Sequence, residues 1–501
     1  MSHRWIGVPR EQNDVNRRGV GERTGCFACR QRALAAQGPG CRAMSTTRTL
    51  AGFSSALSFE AIGRDVLANA QLAIMDSIAT LYAGLREPAV LLVRDAALRE
   101  GAAGPATVIG TGKTASATAA ALANGAAAHA LDYDSISLTV SGFVASPLLF
   151  ALLALVEGES APVSGRQLLQ AFVAGWETEA AIARGLGVYH YAKGWHSTAT
   201  LGHFGAAAAA CRLLNLDLDA TRSALGIVAS EASGLRTMIG NMTNPFHVGK
   251  AARNAVFAAQ LARAGFRAEP CVLEHPSGFA MAFNGKDGFD LDRMTAELGR
   301  RWDLVDPGLV IKVYPCCGLI HSAIDATLDL KSEFAIEADA VLRVEVAVHA
   351  LVPPTMKFHA PASGYEAKFS TGFCIANALL EGSVRLEHFS DARTADPRMA
   401  RLMHCVHMVV HPDLLDAATF LEREFSEVTI TLRDGRSLTR RVNRIANRGS
   451  RGRPADVELI RVKAADCLAA SDRADGAARA LGLLENLPDI ADVRDIMVQL
   501  A

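Results

Sequence analysis

Residues 117–134 read ATAAALANGAAAHALDYD, an alanine-rich run that ends in two carboxylates. The apolar residues over Ala117–Ala130 follow helical spacing and predict an α-helix. Gly205–Cys211 is a second alanine-rich run. Small side chains let helix backbones approach closely, so both segments are expected in the middle of a helical bundle. Strand-like alternation is nearly absent between Met44 and Gly299, which predicts a helical domain there.

Charge and composition narrow the function classes. The 501 residues include 51 Lys+Arg and 52 Asp+Glu, a net charge of −1 that removes the electrostatic case for a nucleic-acid or anionic-membrane partner. The longest apolar run, Phe143–Val156, is too short to span a bilayer and predicts a buried core helix. Ten scattered Cys favour a reducing compartment. We therefore expect a cytoplasmic enzyme without a membrane partner.

Residues 1–43 differ from the rest of the chain. They contain eight Arg and three acids, and they lack the apolar segment of a secretory signal. An organelle presequence is one interpretation, and we prefer a disordered leader or a start assigned too early, with Met44 as the alternative. Cys26 and Cys29 would need a second pair of ligands to hold zinc, and this segment does not supply one.

The pattern changes beyond Pro307. Val341–Val348 and Val428–Leu432 show β-branched alternation, and the turn Arg433-Asp434-Gly435 follows the second of them. The tail from Ala477 to Leu500 returns to helical periodicity. We predict a helical domain over 44–305, completed by about 440–501, and a smaller α+β lid domain over 306–439.

Two apparent motifs do not support a function. Gly110–Thr114, GTGKT, imitates the end of a phosphate-binding loop, but Thr107 stands where that loop has its leading Gly. The second is the group His404, Cys405, His407 and His411. In a strand the first His would face away from the other two, so we interpret the group as part of a strand rather than as a metal site. The sequence also lacks the short motifs of zinc hydrolases, serine hydrolases and dinucleotide-binding proteins.

Four short polar segments interrupt the apolar helical sequence, and each carries charged or titratable groups whose burial would be costly without a function. They are His129–Asp134, Lys193–Thr198, Asn244–Lys250 and Lys312–Gly318, the last followed by His321. Each also has a purely structural explanation. Asp132 could cap a helix, His196 and His247 could be hydrogen-bonded core residues, and Lys312 could be a surface charge.

Together these segments resemble the MmgE/PrpD family of 2-methylcitrate dehydratases, cis-aconitate decarboxylases and related enzymes. The resemblance runs from about Met44 to the C-terminus. It also includes these segments: Ala121–Gly125, Gly249–Arg253, Ser277–Phe279 and Ala367–Ser370. It implies a mainly α fold with a large helical domain and a smaller α+β lid domain, a homodimer, and a pocket between the domains. It implies neither a metal nor an organic cofactor.

The resemblance also implies a set of site residues. Its catalytic positions are Asp132, His196 and Lys312. Its substrate-binding positions are Tyr133, Asn244, His247 and Cys317.

This chain departs from the family at three places. Ile136 stands where cis-aconitate decarboxylases have Thr, and Gly142-Phe143-Val144 stands where family members commonly have His-Pro-Ser. Asn244 stands where those decarboxylases have Lys. A tricarboxylate would therefore find fewer partners here, and we do not expect cis-aconitate decarboxylation.

Dehydration, decarboxylation and epimerisation next to a carboxylate share an enediolate-like intermediate, which needs a base, an acid and cations for the carboxylate oxygens. The leading hypothesis is a cofactor-independent lyase acting on a small di- or tricarboxylate, most similar to a 2-methylcitrate dehydratase. One alternative is a dicarboxylate epimerase resembling the family's iminodisuccinate epimerase. Another is an inactive homologue retained for binding. We also expect the lid to open and close over the pocket, because such an intermediate needs protection from water.

Overall fold

The computed structural model describes residues 45–101, 103–417, 420, 424–469, 471 and 473–501. The expectations for residues 1–43 concern a segment outside the described residues.

Helices dominate the described chain, and most of them precede residue 300. In chain order they are α1 Thr46–Ala56, α2 Arg64–Gly84, α3 Pro88–Glu100, α4 Ala117–His129, α5 Ala145–Val156, α6 Gly165–Ala192, α7 Ser197–Thr200, α8 Gly202–Leu213, α9 Leu218–Glu231, α10 Thr243–Arg263, α11 Phe279–Asn284, α12 Leu291–Thr295, α13 His321–Phe334, α14 Gly364–Ala367, α15 Thr371–Glu381, α16 Asp391–Thr394, α17 Pro397–Cys405, α18 Val457–Leu468, α19 Ala474–Leu484 and α20 Arg494–Leu500. The mainly α character expected from the sequence is confirmed.

Most of these helices pack around a first hydrophobic core. Its buried residues come from 50–311 and again from 460–500. All residues of α5 are buried, as expected for the longest apolar run. By length and composition α2 is able to span a membrane, but 72% of its most apolar window is buried within the fold, as in a core helix. The apolar runs that mark α2 and α5 in the sequence therefore reflect burial in the protein core.

The strands are short except in one sheet. They are β1 Ala106–Val108, β2 Lys113–Ala115, β3 Ile136–Ser137, β4 Leu309–Val310, β5 Val341–Val348, β6 Val406–Val410, β7 Phe425–Leu432, β8 Ser437–Asn443, β9 Arg448–Gly449 and β10 Arg453–Pro454. The order β6-β5-β7-β8 makes a four-stranded sheet, in which β6 is parallel to β5 and the other pairs are antiparallel.

A second hydrophobic core lies on this sheet. Apart from Ile239, its buried residues come from 314–442. Burial alternates along β7, because successive side chains of a strand point to opposite faces, and α13 packs against the sheet. The two cores draw on different parts of the chain. The domain boundaries at 305/306 and 439/440 stay a prediction.

The structure settles the two apparent motifs. Residues 110–112 form the turn of the β1/β2 hairpin, so GTGKT is not a phosphate-binding loop. The strand interpretation of the His group was wrong for His404, which lies in the last turn of α17. Asp396 caps that helix and Pro397 occupies its first turn, a helix start that overrides the alternation.

Two glycines bring the site-bearing helices together. A Cβ on Gly125 of α4 would lie 2.9 Å from the Cα of Gly249 in α10, and a Cβ on Gly249 would lie 2.2 Å from the carbonyl oxygen of Leu122. Only residues without a Cβ allow such a close crossing. The C-terminal end of α4 and the first turn of α10 thereby frame one pocket.

Candidate active site

One pocket collects side chains from residues 132–244 and 317–444. Its wall contains the following residues: Asp132, Ile136, Ser141, Gly142, Phe143, Tyr191, His196, Ile239, Asn244, Cys317, Gly318, Leu319, Thr355, Phe420 and Arg444. The space open to the centres of water molecules is about 50 Å³. The pocket is therefore small in this conformation.

Asp132 presents a carboxylate on the pocket wall, paired with a buried lysine. Nζ of Lys312 lies 2.7 Å from Oδ2 of Asp132 and also donates to the backbone carbonyl of the same residue. Lys312 is fully buried and does not line the pocket. The ammonium therefore stands behind the carboxylate and offsets its charge.

The backbone at Asp132 is left-handed, with φ 51°. Ser141, also on the pocket wall, has φ 52°. Such conformations are strained for residues with a Cβ and persist only where the surrounding structure imposes them. The ion pair with Lys312 and the surrounding packing hold the carboxylate in this orientation.

His129 and Asp134 form a second buried pair next to Asp132. Nδ1 of His129 lies 2.8 Å from Oδ1 of Asp134, and Ser146 donates to the other oxygen of Asp134 at 2.7 Å. Burial lowers the pKa of His129, but the charge and hydrogen bond of Asp134 outweigh it and hold that pKa above its ordinary value. Nε2 of His129 lies 4.0 Å from Asp132, so this pair gives the carboxylate further cationic support.

His196 faces the pocket and is held from behind by His247. Their Nδ1 atoms lie 2.9 Å apart. Gly234 makes the arrangement possible, because a Cβ there would lie 2.3 Å from Cβ of Ala199 and 3.2 Å from Nε2 of His247. The backbone N–H of His196 donates to the carbonyl of Gly234. Since Nδ1 is engaged, Nε2 is the nitrogen of His196 left for a ligand.

Both imidazoles are neutral near pH 7. Burial, reinforced by the charges of His247 and His129, holds the pKa of His196 well below its ordinary value. Burial lowers the pKa of His247 to about 4, with Lys250 and His129 adding to the effect. One hydrogen between two neutral imidazoles means that one ring donates and the other accepts.

Two buried polar side chains on the pocket wall lack hydrogen-bond partners of good geometry in the described chain. Asn244 is 1% exposed, and neither of its amide atoms has a partner of good geometry; the hydroxyl of Thr355, which lies near the Tyr191 hydroxyl, is the second case. The hydroxyl of Tyr365 lies near the Asn244 amide, which lowers the pKa of that tyrosine against a larger increase from burial. Buried polar groups of native proteins are nearly always satisfied, so these two are arranged for a ligand or for water.

Arg444 supplies a guanidinium from the opposite side of the pocket. It follows β8 and is 8% exposed. One nitrogen donates to Glu424 at 2.5 Å, and the guanidinium carbon lies 5.2 Å from the centre of the Phe420 ring. Burial raises the pKa of Glu424 against the lowering effect of Arg444. An arginine has five N–H donors, and Glu424 is the acceptor found for it among the described residues.

The predicted site residues divide into two groups. Asp132, His196, Asn244 and Cys317 line the pocket. The other three lie behind its wall: Lys312 behind Asp132, His247 behind His196, and Tyr133 under the ammonium of Lys463 at 3.9 Å. The surface-charge explanation of Lys312 is wrong, since that side chain is fully buried.

The three departures from the family pattern meet in this pocket. Ile136, Gly142, Phe143 and Asn244 all line it. Phe143 places its ring 4.1 Å from the His129 ring, centre to centre, and 5.1 Å from Nζ of Lys312. The differences are thus concentrated where a ligand would bind, and they make the wall more apolar.

Sequence reasoning missed Arg444, Tyr191 and Thr355. Arg444 stands in an arginine-rich stretch with no distinguishing neighbour, and only its tertiary position singles it out. Burial raises the pKa of Tyr191 to about 12, so it is a neutral donor at the wall. Among the described residues, no group of three or more His, Cys, Asp or Glu is arranged to hold a metal ion; the absence of a cofactor stays a prediction.

Several known proteins with similar sequences are named cis-aconitate decarboxylases. A cis-aconitate decarboxylase of Aspergillus terreus is 28% identical over 366 residues, which are 69% of this chain and 74% of that protein. A second Aspergillus terreus cis-aconitate decarboxylase is 31% identical over 298 residues, covering 58% of this chain and 60% of that protein. The human cis-aconitate decarboxylase is 27% identical over 339 residues, covering 65% and 67%.

Domain profiles extend the similarity to most of the chain. The MmgE/PrpD N-terminal domain matches residues 48–292, and the MmgE/PrpD C-terminal domain matches residues 314–488. The pocket is built from residues of both ranges. The chain therefore belongs to the MmgE/PrpD family.

Proposed function

We propose that this protein is a cofactor-independent lyase that removes water from a small carboxylic acid after abstracting the proton next to its carboxylate. The observation that carries the proposal is that one small pocket is lined by Asp132 and His196, with Lys312 paired to the first and His247 to the second from behind the wall. The cis-aconitate decarboxylase relatives are lyases of a carboxylic acid by name, and they support the reaction class. The choice of dehydration over decarboxylation or epimerisation rests on the sequence-based expectation of an enzyme similar to 2-methylcitrate dehydratase.

The His196–His247 pair supports proton transfer in both directions. When Nδ1–H of His196 donates to His247, Nε2 of His196 carries a lone pair and can accept the substrate proton. The positive charge then passes to His247 if the shared Nδ1 proton moves across the 2.9 Å hydrogen bond. His196 is then neutral again, with the substrate proton on Nε2. That proton protonates the departing hydroxyl, which leaves as water, and the shared proton returns.

The charged groups of the site stabilise the enediolate intermediate. Loss of the proton turns the carboxylate into an enediolate, and charge builds on its oxygens. In this arrangement Arg444 binds those oxygens and Asp132 orients the reacting hydroxyl as a hydrogen-bond acceptor. Lys312 and His129 offset the charge of Asp132 from behind, so the carboxylate does not repel the intermediate strongly.

The test is proton exchange followed by NMR. Purified protein is incubated in deuterated water, without added metal or cofactor, with 2-methylcitrate, citrate, cis-aconitate, tartrate, iminodisuccinate and crotonate. We expect deuterium beside a carboxylate, together with loss or addition of water, for at least one compound. A general acid/base contributes about 10²–10⁴-fold. His196→Ala should therefore slow exchange at least about 100-fold, while His404→Ala, an exposed position, should not.

Other outcomes discriminate the alternatives. Exchange or racemisation without loss of water would replace the dehydratase by an epimerase, which uses the same base and the same enediolate. Loss of carbon dioxide would make the protein a decarboxylase like its named relatives. Binding of a compound without any exchange would leave an inactive homologue, and the proposed reaction would be wrong.

A further inference from the structure

We propose that the substrate carries a single carboxylate, that Arg444 binds it, and that Asn244 binds the substrate's hydroxyl or carbonyl oxygen. This inference rests on the proposed function and narrows its substrate class. It replaces the di- or tricarboxylate expected from the sequence. The argument starts from the charge of the pocket wall.

The pocket has little excess positive charge. Asp132 is paired with Lys312, and Arg444 is paired with Glu424. The guanidinium of Arg236 lies 4.8 Å from the centre of the Tyr191 ring, so the ionised groups on the described wall and their direct partners sum to +1. The remaining titratable groups on that wall are neutral. His196 has a pKa well below its ordinary value, and burial raises the pKa values of Tyr191 and Cys317 to about 12.

One further cation lies nearby but does not change this balance at the wall. Lys368 is buried and donates to the carbonyl of Pro315 at 2.8 Å. Burial lowers its pKa to about 8, and it does not line the pocket. A ligand with three carboxylates would therefore bring three charges into a site with one excess positive charge, at a cost that rises with each unpaired charge.

A single carboxylate has a suitable partner. Among the described residues, Glu424 takes one of the five N–H donors of Arg444 and four remain; two parallel donors of one guanidinium bind a carboxylate in a bidentate manner. Because burial raises the pKa of Glu424, an arriving carboxylate can also displace it with uptake of a proton. Either route leaves the site neutral or near neutral.

The unpaired polar groups indicate what else the substrate contains. Asn244 is 1% exposed, and the Tyr365 hydroxyl is the one polar group near its amide among the described residues; Thr355 likewise has only the Tyr191 hydroxyl, so both keep hydrogen-bonding capacity for a ligand. Both match an oxygen substituent rather than a second carboxylate, because neither carries a charge. Ile136 and Phe143 form the apolar part of the wall. The ligand is thus a short hydroxy or unsaturated acid with an apolar end.

A series of acids graded by charge tests the proposal. Crotonate, mesaconate and cis-aconitate are unsaturated acids with one, two and three carboxylates. Their dissociation constants for the full-length protein are measured by titration calorimetry at constant ionic strength. We expect crotonate to bind at least about 10-fold more tightly than cis-aconitate, because the additional carboxylates of cis-aconitate would lose water without gaining a charged partner, and a modest net cost already gives that factor.

Variants of Arg444 test whether this residue binds the carboxylate of the ligand. Arg444→Met should weaken crotonate binding about 10- to 100-fold. Arg440→Met removes a half-buried arginine of β8 that is paired with Glu333 of α13 and should leave crotonate binding unchanged. Because Arg444→Met leaves Glu424 buried without its cationic partner, the double variant with Glu424→Gln is measured as well. Glu424→Gln alone frees the guanidinium and should tighten crotonate binding.

The outcomes separate this inference from the proposed function. Tighter binding of cis-aconitate than of crotonate, or unchanged crotonate binding in both Arg444 variants, would overturn the inference while leaving a lyase possible on the acid that exchanges its proton. Crotonate binding that depends on Arg444, without any deuterium exchange, would keep the anchor and refute the lyase.

Discussion

Replacing Lys312 with methionine tests the central ion pair. Two unit charges 2.7 Å apart attract each other by about 6 kcal/mol at an effective dielectric constant of about 20. Most of that attraction offsets the cost of dehydrating the two groups. The Lys312→Met variant, however, leaves Asp132 buried at 3% exposure without its cation. Removing one partner of such a pair costs about 3–5 kcal/mol.

The assay is urea denaturation followed by tryptophan fluorescence, compared with a double variant. Asp132→Asn with Lys312→Met removes both charges, so its cost should fall below the sum of the single variants by about 1–3 kcal/mol. Lys286→Met, at an exposed position, should change the free energy of unfolding by less than about 0.5 kcal/mol. If Lys312→Met stays within about 1 kcal/mol of the parent protein, or if the costs add, the two groups are not a buried ion pair.

Four further predictions follow from described features. The pKa of His247 is about 4 in the fold and 6.5 ordinarily, so the unfolded chain takes up the proton first as the pH falls. The contribution of this residue to stability is fully present above pH 6.5 and declines by about 3 kcal/mol as the pH falls to 4. The urea midpoint of His247→Gln should therefore decline less over this pH range than that of the parent protein. Asn244→Lys adds a cation to the pocket and should improve cis-aconitate binding relative to crotonate, which calorimetry detects; an unchanged ratio would contradict the charge argument. Leu500→Ala, at a fully buried position, should cost about 2–5 kcal/mol, and Val498→Ala, 71% exposed, less than about 0.5 kcal/mol, both from denaturation midpoints. Solution scattering should show a smaller radius of gyration with a bound substrate, and identical curves would count against a closing lid.

Local sequence patterns predicted the elements whose burial is periodic. Val341–Val348 was expected as a strand and forms β5 with those bounds, because alternation of β-branched residues reports a pleated surface. The β7/β8 hairpin follows from Arg433-Asp434-Gly435 in the same way. The strand prediction was wrong at His404, because a short helix and the following strand share one apolar pattern. Asp396 and Pro397, which start the helix, decide in favour of helix at this position.

The site was predictable where polar residues interrupt buried helices. Asp132 and His196 stood out for that reason, and both line the pocket. Whether Lys312 lay at the surface or in the core was not predictable, because its partner Asp132 is 180 residues away. No sequence pattern distinguished Arg444 from the arginines near it. Its role follows from the meeting of β8 with the helices, which no local pattern encodes.

The last helix also constrains how the protein is made. The hydroxyl of Tyr82 donates to the carbonyl of Leu500 across 418 positions of sequence, and α18, α19 and α20 contribute side chains to the core that α1 begins. A ribosome adding about 5–20 residues per second needs about 20–80 s to travel that distance. Throughout that interval the nascent chain holds apolar helices whose partners do not yet exist. The first core is therefore completed only after nearly the whole chain has been translated, and chaperones that shelter exposed apolar segments are expected to act on it during synthesis.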